Sequence, residues 1–267
     1  MDFDRYNQLD ALGRSGKPDE AIRGLREMER TCDDPQDRAL VLLAISDCFV
    51  LLDRYTDARQ AIERALALVG KHNEYNARIA FKDAYIDIYL RDWKKALSKI
   101  DSILKNFRDL LLLADNADLL QLLETARGIV LVELHRYGEA VPLLEQAVAA
   151  KPNDGVTLIY LAASYFAVKE LKKSKECYVK ALTLELDSSY RSNAHYFLGR
   201  IYYSEENFAW AKQEFEKSLN QVEPGAFTGP HVFQYLKLAS QALGLDAEVE
   251  RYSQLIRQMA TPRNNEK

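Results

Sequence analysis

Few residues of this chain have the types and spacing that chemistry requires. The histidines and cysteines are His72, His135, His195, His231, Cys32, Cys48 and Cys177. None of them forms an HExxH, an HxH or a His–Cys pair at zinc-ligand spacing. No glycine-rich phosphate loop, GxSxG or triad pattern occurs. The sequence therefore predicts no metal site, no cofactor and no catalytic residue. An enzyme would need a scattered constellation that a sequence cannot show.

Charge and hydropathy argue against further classes of protein. The 36 Lys and Arg residues against 40 Asp and Glu give a formal net charge of −4, which does not favour nucleic acid as a partner. No apolar stretch approaches the roughly 20 residues that span a bilayer. The acidic N-terminal sequence MDFDRYNQLD is unlike a signal peptide. Three widely spaced cysteines indicate a reducing compartment, so we expect a cytoplasmic location without membrane insertion.

The elements that would position any site follow from a phased repeat. Similar blocks recur at 53–68, 91–104, 135–154, 169–184 and 206–219. In most of them a large apolar residue is followed three places later by a small one, and further apolar residues follow at helical spacing. The small residues of these blocks are Ala58, Ala96, Ala140, Ser174 and Ala211. Two weaker units at the ends of the repeat, around 16–28 and 244–256, have Ala21 and Glu248 in the same place. A period in the mid-thirties predicts a stack of helical hairpins.

The blocks resemble the tetratricopeptide repeat, most strongly in residues 121–219. The fourth unit has the family's pattern of small and large residues at Gly128, Leu131, Tyr137, Ala140, Leu144, Ala147 and Pro152. The resemblance implies an all-α, right-handed α-solenoid of about seven hairpins, in one domain over residues 1–260. Residues 261–267 are expected to be a disordered tail. In the last unit, Glu248 departs from the pattern.

The spacing between the third and fourth units is longer than elsewhere, and the extra residues fall within 104–128. Their apolar pattern predicts two helices, each lengthened by about one turn and projecting from the stack, with Asp115 or Asn116 as a cap. The four leucines of this segment, Leu110, Leu111, Leu112 and Leu113, form a candidate interface for homodimerisation or docking. The alternative is that the two extensions simply pack on each other.

The resemblance implies that the first helix of each hairpin lines a concave groove. The candidate ligand-binding residues are Tyr6, Phe81, Tyr85, Tyr160, Phe166, Tyr196, Arg200, Tyr203, Phe233 and Lys237. Arg200 and Lys237 occupy the same position in consecutive units and could pair with a carboxylate. Tyr6, Asp10 and Leu43 do not fit the clamp that binds chaperone C-terminal tails in this family. An aromatic inner face could also be filled by the chain itself or by a dimer partner.

These patterns favour a non-catalytic scaffold or adaptor that binds a protein or peptide segment in the groove. Two alternatives remain open. The chain could be a structural subunit that assembles with itself through the 104–128 segment, or an enzyme with a scattered site.

Overall fold

The computed structural model describes residues 1–69, 74–113, 116–221 and 230–260, and within these ranges all regular structure is helical. Fifteen helices follow one another in those ranges. They are α1 (Phe3–Arg14), α2 (Pro18–Thr31), α3 (Pro35–Leu51), α4 (Tyr55–Leu68), α5 (Glu74–Tyr89), α6 (Trp93–Asn106), α7 (Arg108–Leu111), α8 (Ala117–Glu133), α9 (Tyr137–Ala150), α10 (Gly155–Ala167), α11 (Leu171–Leu182), α12 (Ser188–Ser204), α13 (Phe208–Asn220), α14 (Pro230–Ala242) and α15 (Asp246–Ala260). The predicted all-α fold is confirmed.

The small residues of the repeat are fully buried in the fold. Each of the six has a relative exposure of 0%: Ala21, Ala58, Ala96, Ala140, Ser174 and Ala211. A larger side chain at these points would force the paired helices apart, because protein interiors are packed to crystal-like density. Glu248 is not buried in this way; its carboxylate accepts a hydrogen bond from Ser240 at 2.9 Å. The repeat register read from the sequence is therefore the register of the fold.

The turn inside each hairpin has a backbone signature of its own. One residue per turn has a positive φ, between 56° and 90°, in seven places along the described chain: Gly16, Asp53, Arg91, His135, Lys169, Glu206 and Gly244. A left-handed residue just after a helix ends it and returns the chain towards the next helix. The conformation disfavours most side chains, yet the repeat uses it five times without glycine. His135 is one of these turn residues.

The helices group into two compact units, Met1–Arg136 and Tyr137–Lys267. In the first, α1 to α6 pack successively and α8 packs on α6. In the second, each of α9 to α14 packs on the next helix. Asp154 caps α10, since its carboxylate accepts hydrogen bonds from the backbone N–H of Val156 and Thr157. A single domain over residues 1–260 stays a prediction.

The extra residues of the 104–128 segment do not lengthen the third hairpin as expected. α6 has 14 residues, as α2 and α4 have, and ends before Phe107. The chain then forms the four-residue α7, and a 17-residue α8 starts at Ala117. The prediction of two extended helices is therefore wrong, since α6 has the ordinary length and α8 is no longer than α3 and α12. The Asn116 side chain does not cap α8; it donates a hydrogen bond to the Leu110 carbonyl at 2.9 Å. Asp115 and the predicted tail, 261–267, lie outside the described residues.

Candidate functional site

Arg200 lies among aromatic rings in the unit Tyr137–Lys267. Its guanidinium carbon is 4.7 Å from the ring centre of Phe166 on α10. The corresponding distances are 5.6 Å to Tyr196 and 5.4 Å to Phe197 on α12, and 5.7 Å to Tyr235 on α14. A cation within about 6 Å of an aromatic ring centre is attracted by the ring's electron density. Three helices therefore hold one guanidinium in place through π contacts.

An open cavity of about 500 Å³ lies against this guanidinium. We call it the Arg200 pocket, and it is lined by Tyr196, Arg200, His231, Gln234, Tyr235 and Leu238. The Tyr196 and Tyr235 rings lie 6.1 Å apart in an edge-on arrangement. Beneath them Tyr235 stacks on the fully buried Phe215, with ring centres 5.2 Å apart. One side of the pocket is therefore formed by aromatic rings that pack directly on the core of the unit.

Arg200 is half-buried and forms no ion pair with any described residue. Burial raises the pKa of Tyr196, and the charge of the neighbouring Arg200 opposes that rise. A guanidinium offers five N–H donors in a planar fork, which matches the geometry of a carboxylate. Partial removal from water strengthens such a pairing relative to the open surface. The arrangement can therefore bind an acidic group and hold apolar or aromatic neighbours beside it.

The other predicted residues of this unit are only partly brought to the pocket. Phe166 contacts Arg200 from below, and Tyr196 and Arg200 line the cavity. Tyr203 packs edge-on against Tyr235 at 5.7 Å, and Tyr160 against Tyr190 at 6.3 Å. Neither Tyr160 nor Tyr203 lines the cavity.

Phe233 and Lys237 lie on a different side of α14 from the pocket. Phe233 packs towards Tyr252 of α15, with ring centres 6.4 Å apart, and Lys237 is half-buried and does not line the cavity. Each is two residues from Tyr235, about 200° around the helix at 3.6 residues per turn. Arg200 on α12 and Lys237 on α14 have the same position in the repeat, yet only Arg200 lines the pocket.

The sequence did not identify the α14 wall of the pocket. Tyr235 falls at a position that the repeat reserves for packing residues, and it does pack on Phe215. Its remaining surface lines the cavity together with Gln234 and Leu238. The available signal was its residue type, because a tyrosine combines an apolar ring with a polar end and suits a boundary between core and water.

In the unit Met1–Arg136, the predicted aromatic residues differ in exposure. Phe81 is buried, with its ring centre 5.7 Å from that of Tyr85. Tyr85 is 40% exposed and packs edge-on against Tyr89 at 5.2 Å. Tyr6 is half-buried against the core, and burial, followed by the nearby charge of Asp10, raises its pKa. Tyr85 thus presents the largest accessible surface of the three.

The four predicted interface leucines also differ in exposure. Leu111 is 1% exposed and belongs to the core, and Leu110 is half-buried. Leu112 and Leu113 are 66% and 56% exposed. Any contact made by this segment would therefore involve Leu112 and Leu113 rather than all four.

His195 and Glu214 form a buried pair in the unit Tyr137–Lys267. Glu214 is 5% exposed, and its carboxylate lies 2.7 Å from His195 Nδ1 and 2.6 Å from Lys217 Nζ. Burial raises the pKa of Glu214, but the hydrogen bonds from His195 and Lys217 outweigh it and leave that pKa below its ordinary value. The pair is satisfied within the fold. Across the described ranges, no three His, Cys, Asp or Glu side chains are grouped as a metal site would require.

No protein-family model matches the chain. The uncharacterized protein ycf37 of Pyropia yezoensis is 32% identical over 121 residues, which cover 45% of this chain and 67% of that protein. None of the helices in the described ranges is both long and apolar enough to cross a bilayer.

Solved structures share the fold at lower identity. The apo quorum sensor NprR of B. thuringiensis superposes with a TM-score of 0.73 at 13% identity, covering 98% of this chain and 76% of that one. YrrB, described as a TPR protein with an unusual peptide-binding site, has a TM-score of 0.51 at 17% identity, with coverages of 70% and 88%. MamA of Desulfovibrio magneticus RS-1 has a TM-score of 0.54 at 22% identity, with coverages of 69% and 95%. The chain belongs to the same family as the uncharacterized protein ycf37, and its fold is that of the tetratricopeptide repeat.

Proposed function

We propose that this chain is a non-catalytic scaffold or adaptor that binds an acidic peptide or protein segment in the Arg200 pocket. The observation that carries the proposal is a half-buried guanidinium, held over aromatic rings and without an ion-pair partner in the described chain, at the wall of an open cavity. A cation taken partly out of water is costly unless a partner compensates it. A carboxylate of a bound segment would supply that compensation.

The residues around Arg200 suit an extended segment or a helix with apolar side chains next to its acidic group. Tyr196, Tyr235 and Leu238 offer aromatic and aliphatic surface, and Gln234 offers an amide that can donate to or accept from a peptide backbone. Tyrosine gives a large, stiff contact surface at low entropy cost. The likeness to YrrB, a protein with a peptide-binding site, supports the same class of ligand.

The proposal can be tested with an array of decapeptides that contain acidic and aromatic residues. Each peptide is paired with a neutral version in which Gln replaces Glu and Asn replaces Asp. We expect the wild-type chain to retain a subset of acidic peptides over their neutral versions. Arg200→Glu should weaken that retention about tenfold or more, because a charge-assisted hydrogen bond becomes a repulsion. Binding is read by fluorescence anisotropy of the selected peptides.

Arg251→Glu is the matched control, since Arg251 is exposed on α15 of the same unit and does not line the pocket. It makes the same change in net charge and should leave peptide retention unchanged. Lys237→Glu should also have little effect if the pocket, rather than the repeat position, determines binding. Equal loss in the Arg200 and Arg251 variants would contradict the assignment, as would a wild-type chain that does not distinguish acidic from neutral peptides.

A second candidate function is self-assembly, which the exposure of Leu112 and Leu113 favours. Two neighbouring leucines in water are a small apolar patch of the kind that contacts cover. In that case the chain would be a structural subunit, and its oligomeric state would depend on these two side chains.

A further inference from the structure

A second cavity, in the unit Met1–Arg136, is lined by four arginines. It has a volume of about 520 Å³. Its lining consists of Arg26, Glu29 and Arg30 from α2, Arg38 from α3 and Arg64 from α4. We call it the arginine pocket. Its formal charge is +3 on a chain whose formal net charge is −4, so it is a local feature and not a consequence of composition.

Contacts within the protein fix part of this arrangement. The Arg38 side chain donates from Nε and Nη2 to the Cys32 carbonyl at 3.0 and 2.6 Å. The Arg26 guanidinium lies 5.9 Å from the ring centre of Phe49. Each of these interactions positions a cation without neutralising it.

The one carboxylate of the pocket, Glu29, is already engaged. It pairs with Arg64 and its side chain is 12% exposed. No described carboxylate forms an ion pair with Arg26, Arg30 or Arg38. Asp34, near Arg38 in sequence, accepts instead from the backbone N–H of Asp37 at 2.8 Å as the cap of α3. Three guanidiniums therefore remain without an anion.

Arg26 and Arg30 are exposed and Arg38 is half-buried, so an anion from solution can reach all three guanidiniums. Arg26 and Arg30 are four residues apart on α2, so they lie on the same helix face and repel each other. A guanidinium fork matches the geometry of phosphate oxygens and can bind them bidentately. A phosphate monoester carries a charge of about −1.5 to −2 near pH 7, which compensates more of the excess than a single carboxylate does. The cavity also has room for more than the phosphate group.

We propose that the arginine pocket binds the phosphate group of a small, water-soluble phosphate monoester. Acidic residues next to the pocket argue against a lipid surface as the source of phosphate. Glu27, Asp33, Asp34 and Glu63 are exposed beside its arginines in sequence, and an anionic membrane would repel them. This proposal is independent of peptide binding in the Arg200 pocket.

Titration calorimetry of the full chain with inorganic phosphate, and separately with O-phosphoserine, tests it at constant ionic strength and pH 7.5. Acetate and serine are the matched probes without a phosphate group. We expect saturable binding of both phosphate probes and much weaker binding of acetate and serine. O-phosphoserine that binds more tightly than inorganic phosphate would identify a monoester pocket rather than a site for the free ion.

Substitution separates the pocket from general charge. Arg26→Gln/Arg30→Gln should weaken phosphate binding by about tenfold or more, because each arginine supplies charge-assisted hydrogen bonds. Arg26→Lys/Arg30→Lys keeps the charge but loses the fork, and should fall between the Gln variant and the wild type. Lys94→Gln, an exposed position on α6 of the same unit, should bind as the wild type does.

Three results would overturn the proposal. The first is equal affinity for phosphate and acetate, which would indicate unspecific charge attraction. The second is unchanged phosphate affinity in the Arg26→Gln/Arg30→Gln variant, with its helical circular dichroism intact. The third is a chain that binds vesicles containing phosphatidic acid but does not bind O-phosphoserine. That outcome would assign the pocket to a membrane surface.

Discussion

Arg14 and Lys82, in the unit Met1–Arg136, form ion pairs, whereas Arg200, in the unit Tyr137–Lys267, does not. In Met1–Arg136, Lys82 of α5 lies 2.6 and 2.7 Å from the carboxylate oxygens of Asp47 on α3. Arg14 of α1 lies 2.7 Å from Asp10. In Tyr137–Lys267, Arg200 of α12 lies over aromatic rings and has no ion-pair partner among the described residues. Of Arg14, Lys82 and Arg200, only Arg200 is without an ion-pair partner and keeps its charge available to a ligand.

We therefore expect ion pairing, rather than composition alone, to determine which of these cavities binds an acidic ligand. A cavity of about 340 Å³ in the unit Met1–Arg136 is lined by Asp47, Lys82, Tyr85 and Tyr89, together with other residues of α1 and α3. Its charges compensate each other, so an incoming carboxylate would have to compete with Asp47 for Lys82. An acidic segment should therefore prefer the Arg200 pocket, and the following changes test how far this contrast holds.

The largest effect is expected where ion pairing is buried. Asp87 of α5 is 1% exposed, and Arg59 and Lys99 lie 2.6 and 2.5 Å from its oxygens. Asp87→Asn removes the buried charge of this network and leaves Arg59 and Lys99 paired with the less buried Asp83, at 3.3 and 2.5 Å. It should lower the free energy of unfolding by about 2–3 kcal/mol, since breaking a buried pair is costly. Asp47→Asn, in the 38%-exposed pair with Lys82, should cost less than about 1 kcal/mol. Urea unfolding measures both.

The same carboxylate gives the first unit a dependence on pH. Burial raises the pKa of Asp87, but hydrogen bonds from Lys99 and Arg59 outweigh it and leave the pKa below its ordinary value of 3.8. Because the pKa of Asp87 is lowered in the folded state, its carboxylate contributes its full stabilisation at pH values above the ordinary pKa. The contribution is lost as the pH falls through the folded pKa. Asp87→Asn should therefore flatten the acid limb of the stability profile, and equal acid sensitivity in both proteins would contradict the role given to Asp87.

A smaller effect tests the packing under the Arg200 pocket. A Cβ at Gly199 of α12 would lie 2.7 Å from two ring atoms of Phe215, the residue on which Tyr235 stacks. Gly199→Ala should therefore destabilise the fold by about 1–3 kcal/mol through overpacking. It should also weaken peptide binding, because a displaced Phe215 moves the aromatic side of the pocket.

Gly138→Ala is the matched control for that change. Gly138 is in α9 of the same unit, and nothing lies within 4 Å of a Cβ placed there. The alanine should stabilise the helix by up to about 1 kcal/mol through its higher helix propensity. Thermal unfolding and peptide titration of both variants would show whether binding follows the packing of Phe215. A Gly199→Ala protein that is as stable as the wild type would refute the close approach.

The fold was predictable because its signal is local and repeated. Each small residue such as Ala140 comes at a nearly constant spacing, and the same backbone turn follows each first helix. Asp87 occupies a position at which the repeat pattern has an apolar packing residue. The structure shows the register to be correct and the charge to be compensated by Arg59 and Lys99. Neither partner could be assigned from a one-dimensional pattern.

Only the α12 side of the Arg200 pocket could be predicted from the sequence. Arg200 and Tyr196 follow from the repeat register on α12, whereas Tyr235 and Leu238 of α14 depend on which side of that helix meets α12. The repeat position that gave Arg200 gives Lys237 on α14, and that side chain does not line the pocket. A repeat predicts positions within a hairpin better than it predicts which positions of neighbouring hairpins converge. The arginine pocket was missed for the same reason, because its residues come from three helices.

The smallest effect on stability is expected where apolar rather than charged groups lack partners. Leu111 is covered, whereas Leu112 and Leu113 are exposed. Leu111→Asp would place a charge in the core and unfold this region, so it cannot report on assembly. Leu112→Ser/Leu113→Ser should change the free energy of unfolding by less than about 0.5 kcal/mol per site.

Light scattering then decides between the two candidate functions. A wild-type dimer that becomes a monomer in the serine variant supports self-assembly, because only the exposed patch was removed. A wild-type monomer, or a dimer that survives the substitution, leaves these leucines without a role in assembly and favours the adaptor.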